Sequence, residues 1–548
     1  MDFNWKTMKK LLALILGAVS FLLLFSCSNP GDGNGVKETV KPELKSFMLK
    51  TAGGEFPGVI DQKALTVIIS GLAYPSLITS VEWTATDGAV PYPDPKSLIG
   101  KWGREERIVF KASDKQTAYT VILADYIPGD KVDARISPAE TYGRVARYFF
   151  FDIKGRNKGI SDPEHIDLLF NKDGMNGIRI PIYGDSAHGG HDSEGVIDGS
   201  VYTNVVNSVK AVREAFSGEK FYVFASKKLE SKSSFPDWVK DGNGVIVDKY
   251  CSMLMDYFRF MKSHGIEIDY LGVDNESGNE GNITPEKFRD IVDKLEADLA
   301  KEGFAIPQMV GPERYSPKIS NSDGWVKELV ESGWGDRLDV YGTHYYPKHH
   351  TEEFRSALQS EHGYANQGTT RAFFATEPHW DNDEAAKNDM LNHAEKAMCT
   401  LWDCSDLGMD GFMWWAYQNT GSLRDVLMRT LSLAMYNAQP VKITDHDGED
   451  TIKLGKLQTR AFIREGQIDI FVINMTSRIM ASSGTEYKDY IFKIDGFTPS
   501  AGNISCTRWD DGTEAAGCKV SPKIMEDDRF AFDIPVRSIL HIKVNTDF

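Results

Sequence analysis

The chain of 548 residues is short of positive charge: 62 Lys and Arg face 79 Asp and Glu, a formal net charge of −17. Binding to a phosphate backbone depends on clustered cations that displace counterions, so this balance argues against a nucleic-acid partner. Cysteine is scarce, with 6 in the chain, and neither a CxxC nor an HExxH spacing occurs. Those spacings carry most zinc sites, so no metal and no cofactor is expected. Long apolar runs are missing too: the stretch from Leu11 to Phe25 falls short of the roughly 20 residues that span a bilayer. Aromatic residues, in contrast, make up 11% of the chain and include 11 Trp. That supply furnishes core first and flat ligand platforms second.

Lys6, Lys9 and Lys10 precede the Leu11 to Phe25 run, the layout of a secretory signal. It ends in Leu24-Phe25-Ser26-Cys27, which resembles the lipobox of bacterial lipoproteins. The resemblance implies that residues 1–26 are removed, that Cys27 is lipidated, and that the protein is exported and held at the outer membrane or cell surface of a Gram-negative bacterium by the lipid alone. Residues 27–43 carry Gly, Pro and charge without periodicity, as a flexible tether does. Among the remaining cysteines, Cys506 and Cys518 flank an Asp-Gly turn signal, and a disulfide across that hairpin is plausible.

From 44 to 130 short segments alternate β-branched and aromatic residues with polar ones, separated by Gly, Asp and Pro. This predicts a β-sandwich similar to the immunoglobulin-like modules of surface lipoproteins. The stretch "IPGDKVDARISP" reads as a linker. From 131 to 438 strand-like runs at 147–153, 177–183, 220–226, 268–274, 306–312, 338–344, 371–377 and 411–417 alternate with helical stretches. Eight such units fit a (β/α)8 barrel, with an open doubly wound sheet as the competitor. Residues 439–548 return to strands and predict a C-terminal β-sandwich. The whole is a multidomain chain, a TIM barrel flanked by two β-sandwiches, expected as a monomer.

In such a barrel the chemistry gathers at the C-terminal ends of the strands. Those ends carry Arg179, Ser226 and Lys227, Asn275 and Glu276, Glu313 and Tyr315, His344 and Tyr346, Glu377, and then Trp414, Trp415 and Tyr417. Glu276 and Glu377 stand on the fourth and seventh strands, which face each other across the mouth. Their carboxylates could therefore approach to about 5 Å, the separation a retaining glycosidase uses.

These strand ends resemble those of clan A glycoside hydrolases, and their surroundings resemble glycoside hydrolase family 30: "IRIPIYGDSAH" on the second strand, "ASKKLESKSSFPDWVKDGNG" on the third, "MVGPERYS", "THYYP" and "ATEPHW" on the fifth to seventh. The resemblance spans roughly residues 140–435 and includes the attached C-terminal sandwich. It implies a retaining β-glycosidase, with Glu276 as acid/base, Glu377 as nucleophile and Asn275 donating to the sugar 2-hydroxyl. Arg179 would orient Glu377, His344 or Tyr346 would hold it, and Trp414 or Trp415 would stack on a sugar ring. Ser277 stands where the family has Pro, and Lys227-Lys228 where an aromatic is common. With Arg314, Lys348, His349 and His350 the mouth collects positive charge, either as solvated surface or for an anionic glycan. The substrate class that the resemblance implies is a polysaccharide or oligosaccharide. The alternatives are a non-catalytic surface glycan-binding protein on the same barrel, and a transglycosylase using the same residues.

Overall fold

The computed structural model describes residues 41–547 except 52–53, 73–74, 76–77, 127–131, 154–158, 173, 185–189, 229–234, 277–280, 315–323, 346–370, 379–389, 415–422, 446–456, 476–485 and 526. The candidate residues Cys27, Tyr315, Tyr346 and Trp415, together with Ser277, Lys348, His349, His350 and Tyr417, lie outside the described residues, as do the expected signal and most of the expected tether. The chain divides into two compact units at Asp130 and Lys131.

In the first unit seven strands form one continuous sheet, in the order Ile78–Ala85, Leu44–Thr51, Gly54–Asp61, Thr66–Ile69, Lys115–Leu123, Glu105–Ala112 and Val90–Tyr92. The sheet folds over on itself. Trp83 from its first strand packs edge-on against Phe110 from its sixth, ring centroids 5.5 Å apart. Alternation drives this: Ile108 and Phe110, and Tyr119, Val121 and Leu123, turn to one shared core while the residues between them stay half-buried on the other face.

The second unit is built on a closed parallel barrel. Its strands are β1 (Tyr148–Asp152), β2 (Gly177–Ile182), β3 (Tyr222–Lys227), β4 (Tyr270–Gly272), β5 (Gln308–Arg314), β6 (Val340–His344), β7 (Ala372–Glu377) and β8 (Gly411–Trp414). Closure is explicit in the register, since Phe150 of β1 is paired with Gly177 of β2 on one side and with Met413 of β8 on the other. The open-sheet alternative is thereby excluded. Outward residues such as Ile178, Ile180 and Ile182 pack under the helices. Inward ones, Phe150, Phe224, Tyr270, Val310, Val340, Phe374 and Met413, fill the barrel as a layer of their own. The layer is unusually aromatic, and two glycines make room for it. A Cβ on Gly177 would come within 2.5 Å of the Phe150 ring, and one on Gly411 within 2.2 Å of the Phe374 ring. The plug closes the barrel floor, so polar groups above it are reached from the mouth.

The helices follow their sequence signals. Pro285–Lys301 starts at Thr284, whose side chain accepts from the Lys287 amide at 3.2 Å, and is left behind at Gly303 with φ +70°. Val247–Ser263 buries Tyr250, Leu254, Tyr257 and Met261, a three-to-four-residue stripe against the barrel.

Two expectations are corrected. The segment read as a linker runs into a strand, Ala134–Thr141, inserted in the C-terminal ten-stranded sheet between Gln439–Thr444 and Tyr487–Ile494. The C-terminal domain therefore takes a strand from before the barrel, and 439–548 is not a self-contained unit. Only Ala134 and Ile136 of that strand are fully buried, and Pro138 interrupts it, so its pattern is faint. The second correction concerns Cys506 and Cys518, which are free thiols. Register places Cys506 opposite Val520 and Cys518 opposite Arg508, so the two sulfurs are offset along the hairpin. Burial pushes the Cys506 thiol up to about 12.

One face of the C-terminal sheet, with Ile470, Phe492 and Leu540, closes on its own core. The other packs on the barrel helices. Phe471 meets Trp402 at 6.3 Å, and Arg460 forks onto the Asp406 carboxylate.

Candidate active site

Above the aromatic plug the inward positions become polar: Asp152 on β1, Arg179 on β2, Ser226 on β3, and His344 on β6, all essentially inaccessible. Arg179 is the hub. Its Nη1 donates to Asp152 Oδ2 at 2.8 Å, to the Thr376 carbonyl at 2.7 Å and to Glu377 Oε1 at 3.3 Å. Its Nη2 donates to Ser226 Oγ at 3.1 Å, to Asn275 Oδ1 at 3.2 Å and to Glu313. Below it lies the Phe224 ring, 5.2 Å from the guanidinium carbon. Burial alone would lower the pKa of Arg179, but the fields of Glu313, Asp152 and Glu377 outweigh it and raise the pKa above its ordinary value. The guanidinium is a permanent cation in a water-poor site.

Two β-bulges bring the carboxylates to it. In the β5–β6 ladder Pro312 pairs with Gly342 and Arg314 with Thr343, which leaves Glu313 as the extra residue. In the β6–β7 ladder Thr343 pairs with Ala375 and His344 with Glu377, which leaves Thr376. A bulge re-aims the side chains around it. Glu313, at φ +49°, thereby turns to Arg179 and to Ser226, whose hydroxyl donates to Oε2 at 3.0 Å. The bulged Thr376 turns its carbonyl to Arg179, and Glu377 follows into the mouth. Gly272 on β4 completes the fit, because a Cβ there would sit 1.8 Å from Glu313 Oε2.

Glu276 lies beyond the short β4 and also has a left-handed backbone, φ +54°, with its amide donating to the Glu313 carbonyl at 3.2 Å. Such conformations cost about 1–3 kcal/mol each and persist where the surroundings impose them. Its carboxylate meets His344 Nδ1 at 2.6 Å. His344 Nε2 faces Asn275 Oδ1 at 3.2 Å and Glu377 Oε1 at 3.5 Å.

The proton positions follow. An arginine only donates, so the Asn275 atom facing Arg179 is its oxygen, and the ring nitrogen facing that same oxygen, Nε2, carries a hydrogen. Nδ1 of a neutral ring then accepts, and Glu276 supplies the proton. A charged ring would instead donate to a Glu276 carboxylate. In either case one proton lies between Glu276 and His344. A carboxylate oxygen of Glu276, one of Glu377 and a ring nitrogen of His344 all lie within 4.8 Å of one another. The two carboxyls differ in setting: the Glu377 side chain is 7% exposed and beside a guanidinium, whereas that of Glu276 is 24% exposed.

Of the residues read from sequence, the fold brings together Glu276, Glu377, Arg179, Asn275 and His344. Trp414 ends β8 with its backbone opposite Phe151. Asp152 was missed as a partner of Arg179. Its signal was an acidic residue ending the apolar run of β1, the same signal that singled out Asp274 to Glu276. Arg314 is ion-paired with Asp274 at 3.0 Å and donates to the Ile283 carbonyl. Lys227 and Lys228 are buried, not solvated, with their ammonium groups over the rings of Phe235 and Tyr183. Burial, and then the Lys227 charge, hold the nearby His191 down at about 4, hence neutral.

No protein-family model matches the chain, and no curated protein matches it by sequence. Solved structures do match by fold. A family 30 endoxylanase from Clostridium papyrosolvens C71 aligns with a TM-score of 0.55 at 15% identity, covering 76% of this chain and 100% of its own. A subfamily 8 xylanase of the same family from Clostridium acetobutylicum aligns with a TM-score of 0.53, also at 15% identity, covering 76% and 100%. The likeness is one of fold, and it agrees with the resemblance in the strand-end motifs: the barrel is built as in these glycoside hydrolases of family 30.

Proposed function

We propose that the protein is a retaining β-glycoside hydrolase of the family 30 type, acting within a polysaccharide. The observation that carries this reading is the approach of Glu276 and Glu377 to within 4.8 Å across the barrel mouth. Retaining enzymes hold their carboxyls about 5–5.5 Å apart, whereas inverting enzymes keep about 6.5–9.5 Å to admit a water. Glu377, beside Arg179, is the ionised partner and attacks the anomeric carbon. As the glycosidic bond breaks, Glu276 delivers the proton it shares with His344 to the leaving oxygen. The result is a covalent glycosyl-enzyme. Water then adds at the same carbon while Glu276 takes its proton, and Glu377 departs as carboxylate. Arg179 and His344 engage Oε1 of Glu377, which leaves the attack to Oε2. Asn275, with its oxygen held by Arg179 and His344, presents its amide nitrogen on the opposite side, toward the sugar 2-hydroxyl.

The same reading includes export and anchorage at the outer membrane through Cys27. The N-terminal module, of immunoglobulin-like type, would act as a spacer. Because the two fold relatives are described as xylanases, β-xylan heads the panel of substrates to try, followed by neutral and uronate-bearing β-glucans.

The test is product release from that panel by the soluble protein from residue 36 onward, with Glu377→Gln as control and the anomer of the first product read by proton NMR. Products of β-configuration that disappear in Glu377→Gln are expected. An α-anomer as first product would refute the retaining assignment, and unchanged turnover in the variant would refute the role of Glu377.

A further inference from the structure

Away from the barrel mouth, a cleft of about 180 Å³ opens between the helix Leu423–Met435 and three interior strands of the C-terminal sheet, Gln458–Arg464, Gln467–Asn474 and Ser538–Asn545. The sheet face that packs on the barrel is apolar at Phe471, Ile473 and Ile539, then becomes charged at Asp469, His541 and Lys543. Arg429 reaches the cleft from the helix and Arg464 from the neighbouring strand, while Leu433 lines it and stays 43% exposed. In a chain with net charge −17, one small cleft is thus lined by three permanent cations and a single carboxylate.

That carboxylate is already enclosed. Asp469 is 2% exposed and accepts from His541 Nε2 at 2.7 Å and Gln467 Nε2 at 2.5 Å, with Arg464 Nη2 at 3.4 Å. Arg464 is anchored as well, donating to the Leu433 carbonyl at the end of the helix. Lys543 differs. It stands directly across the ladder from Asp469, yet its ammonium has no ion-pair or hydrogen-bond partner among the described residues. His541 is held flat on Phe471, ring centroids 4.5 Å apart and planes 8° from parallel, so the floor of the cleft is rigid.

We infer that this cleft binds an oxyanion, the sulfate or carboxylate group of an acidic saccharide. Fixed cations in a recess lined partly by apolar side chains favour an anion that replaces their water with charge-assisted hydrogen bonds. At about 30 Å³ per water the space holds roughly six waters, the scale of one small anion or sugar unit. The saccharide part of this inference rests on the glycosidase reading above; the oxyanion part does not.

Calorimetric titration of the full chain at constant ionic strength, with sodium sulfate, sodium glucuronate and glucose as separate ligands, tests it. Saturable binding of sulfate or glucuronate, without binding of glucose, is expected. Lys543→Glu should weaken it about tenfold or more, the scale of one charge-assisted hydrogen bond, and Arg429→Gln should weaken it in the same direction. The Lys543 ammonium has no hydrogen bond or ion pair among the described residues for its replacement to remove, and Arg429→Gln serves as the second variant should Lys543→Glu fail to fold. Glu377→Gln should bind as the parent does, which separates the cleft from the barrel mouth whether or not the protein proves to be a glycosidase. Sulfate alone, or glucuronate alone, would identify the source of the oxyanion. Absence of saturable binding, equal binding of glucose, or binding unmoved by Lys543→Glu would each overturn the inference.

Discussion

Replacing Gly272 with alanine probes the support of the site without touching a reacting group. The new Cβ would fall 1.8 Å from Glu313 Oε2, 2.9 Å from its Cδ and 3.4 Å from the Phe224 ring. Glu313 is wholly buried, its backbone is fixed in the left-handed region by the bulge, and its carboxylate holds Arg179 and Ser226. It cannot yield the space without breaking the ion pair. Breaking a buried pair costs about 3–5 kcal/mol, because a charge is left without compensation. Spread over the entropy of a unit of about 400 residues, this lowers the melting temperature by about 3–6 °C. Activity should fall further than stability, since misplacing Glu377 by about 1 Å can cost a hundredfold. Scanning calorimetry of Gly272→Ala, Glu313→Ala and the double variant isolates the coupling. The expected outcome is a large effect of Gly272→Ala in the parent and almost none once Glu313 is gone. Equal losses in both backgrounds would mean that the methyl acts on Phe224 or the backbone, and the reasoning about Glu313 would fail.

His344→Ala should lower kcat/KM about a hundredfold or more for sugars as leaving groups, the usual scale of general acid catalysis, but far less for dinitrophenyl glycosides, which depart without a proton. Equal losses for both would sever His344 from the proton on Glu276. Asp410 sits at the foot of β8, accepts from the Phe373 amide at 2.7 Å and lies 3.6 Å from Arg144. Burial foremost, opposed by those two partners, pushes its pKa up to about 6. A raised carboxyl pKa means the folded state holds the proton that the unfolded state has released, so this group's contribution to stability falls as pH rises from about 4 to 6. Asp410→Asn should therefore match the parent below pH 4 and exceed it by about 2–3 kcal/mol above pH 6. Thermal melts across that window decide it, and a variant less stable than the parent at pH 8 would contradict the assignment.

How much of the fold was legible depended on how strongly each element repeated its period. The barrel strands were legible because both their faces are buried, one against the plug and one against helices, which makes them continuous apolar runs. Pro285–Lys301 was legible from its Thr-Pro start and Gly stop. Ala134–Thr141 was not, because two buried side chains and a proline carry almost no period, and its partners lie some 300 residues or more away in sequence. Local pattern has no access to such a pairing. The Cys506 and Cys518 error has the same origin: the turn signal was right, while the register that offsets the sulfurs was not in the spacing.

The site was legible for a different reason, and the difference is instructive. The rule that barrel strands end in chemistry picked out Glu276, Glu377, Arg179, Asn275 and His344 by position along the strand. Alternation across the strand would have rejected two of the carboxylates that now surround Arg179. Val310 points to the axis and Gly311 to the helices, so strict alternation sends Glu313 outward. Phe374 points in and Ala375 out, so the same rule sends Glu377 outward. Both are brought inward by bulges that flank β6, the strand that carries His344 in its regular inward phase. The partner of Glu276 is thus held by regular geometry, as is Asp152, and the other two charged partners of Arg179, Glu313 and Glu377, by two interruptions of it. A residue deleted from either bulge would restore the ladder and remove a carboxylate from the guanidinium, which is why these irregularities belong to the chemistry as much as the glutamates do.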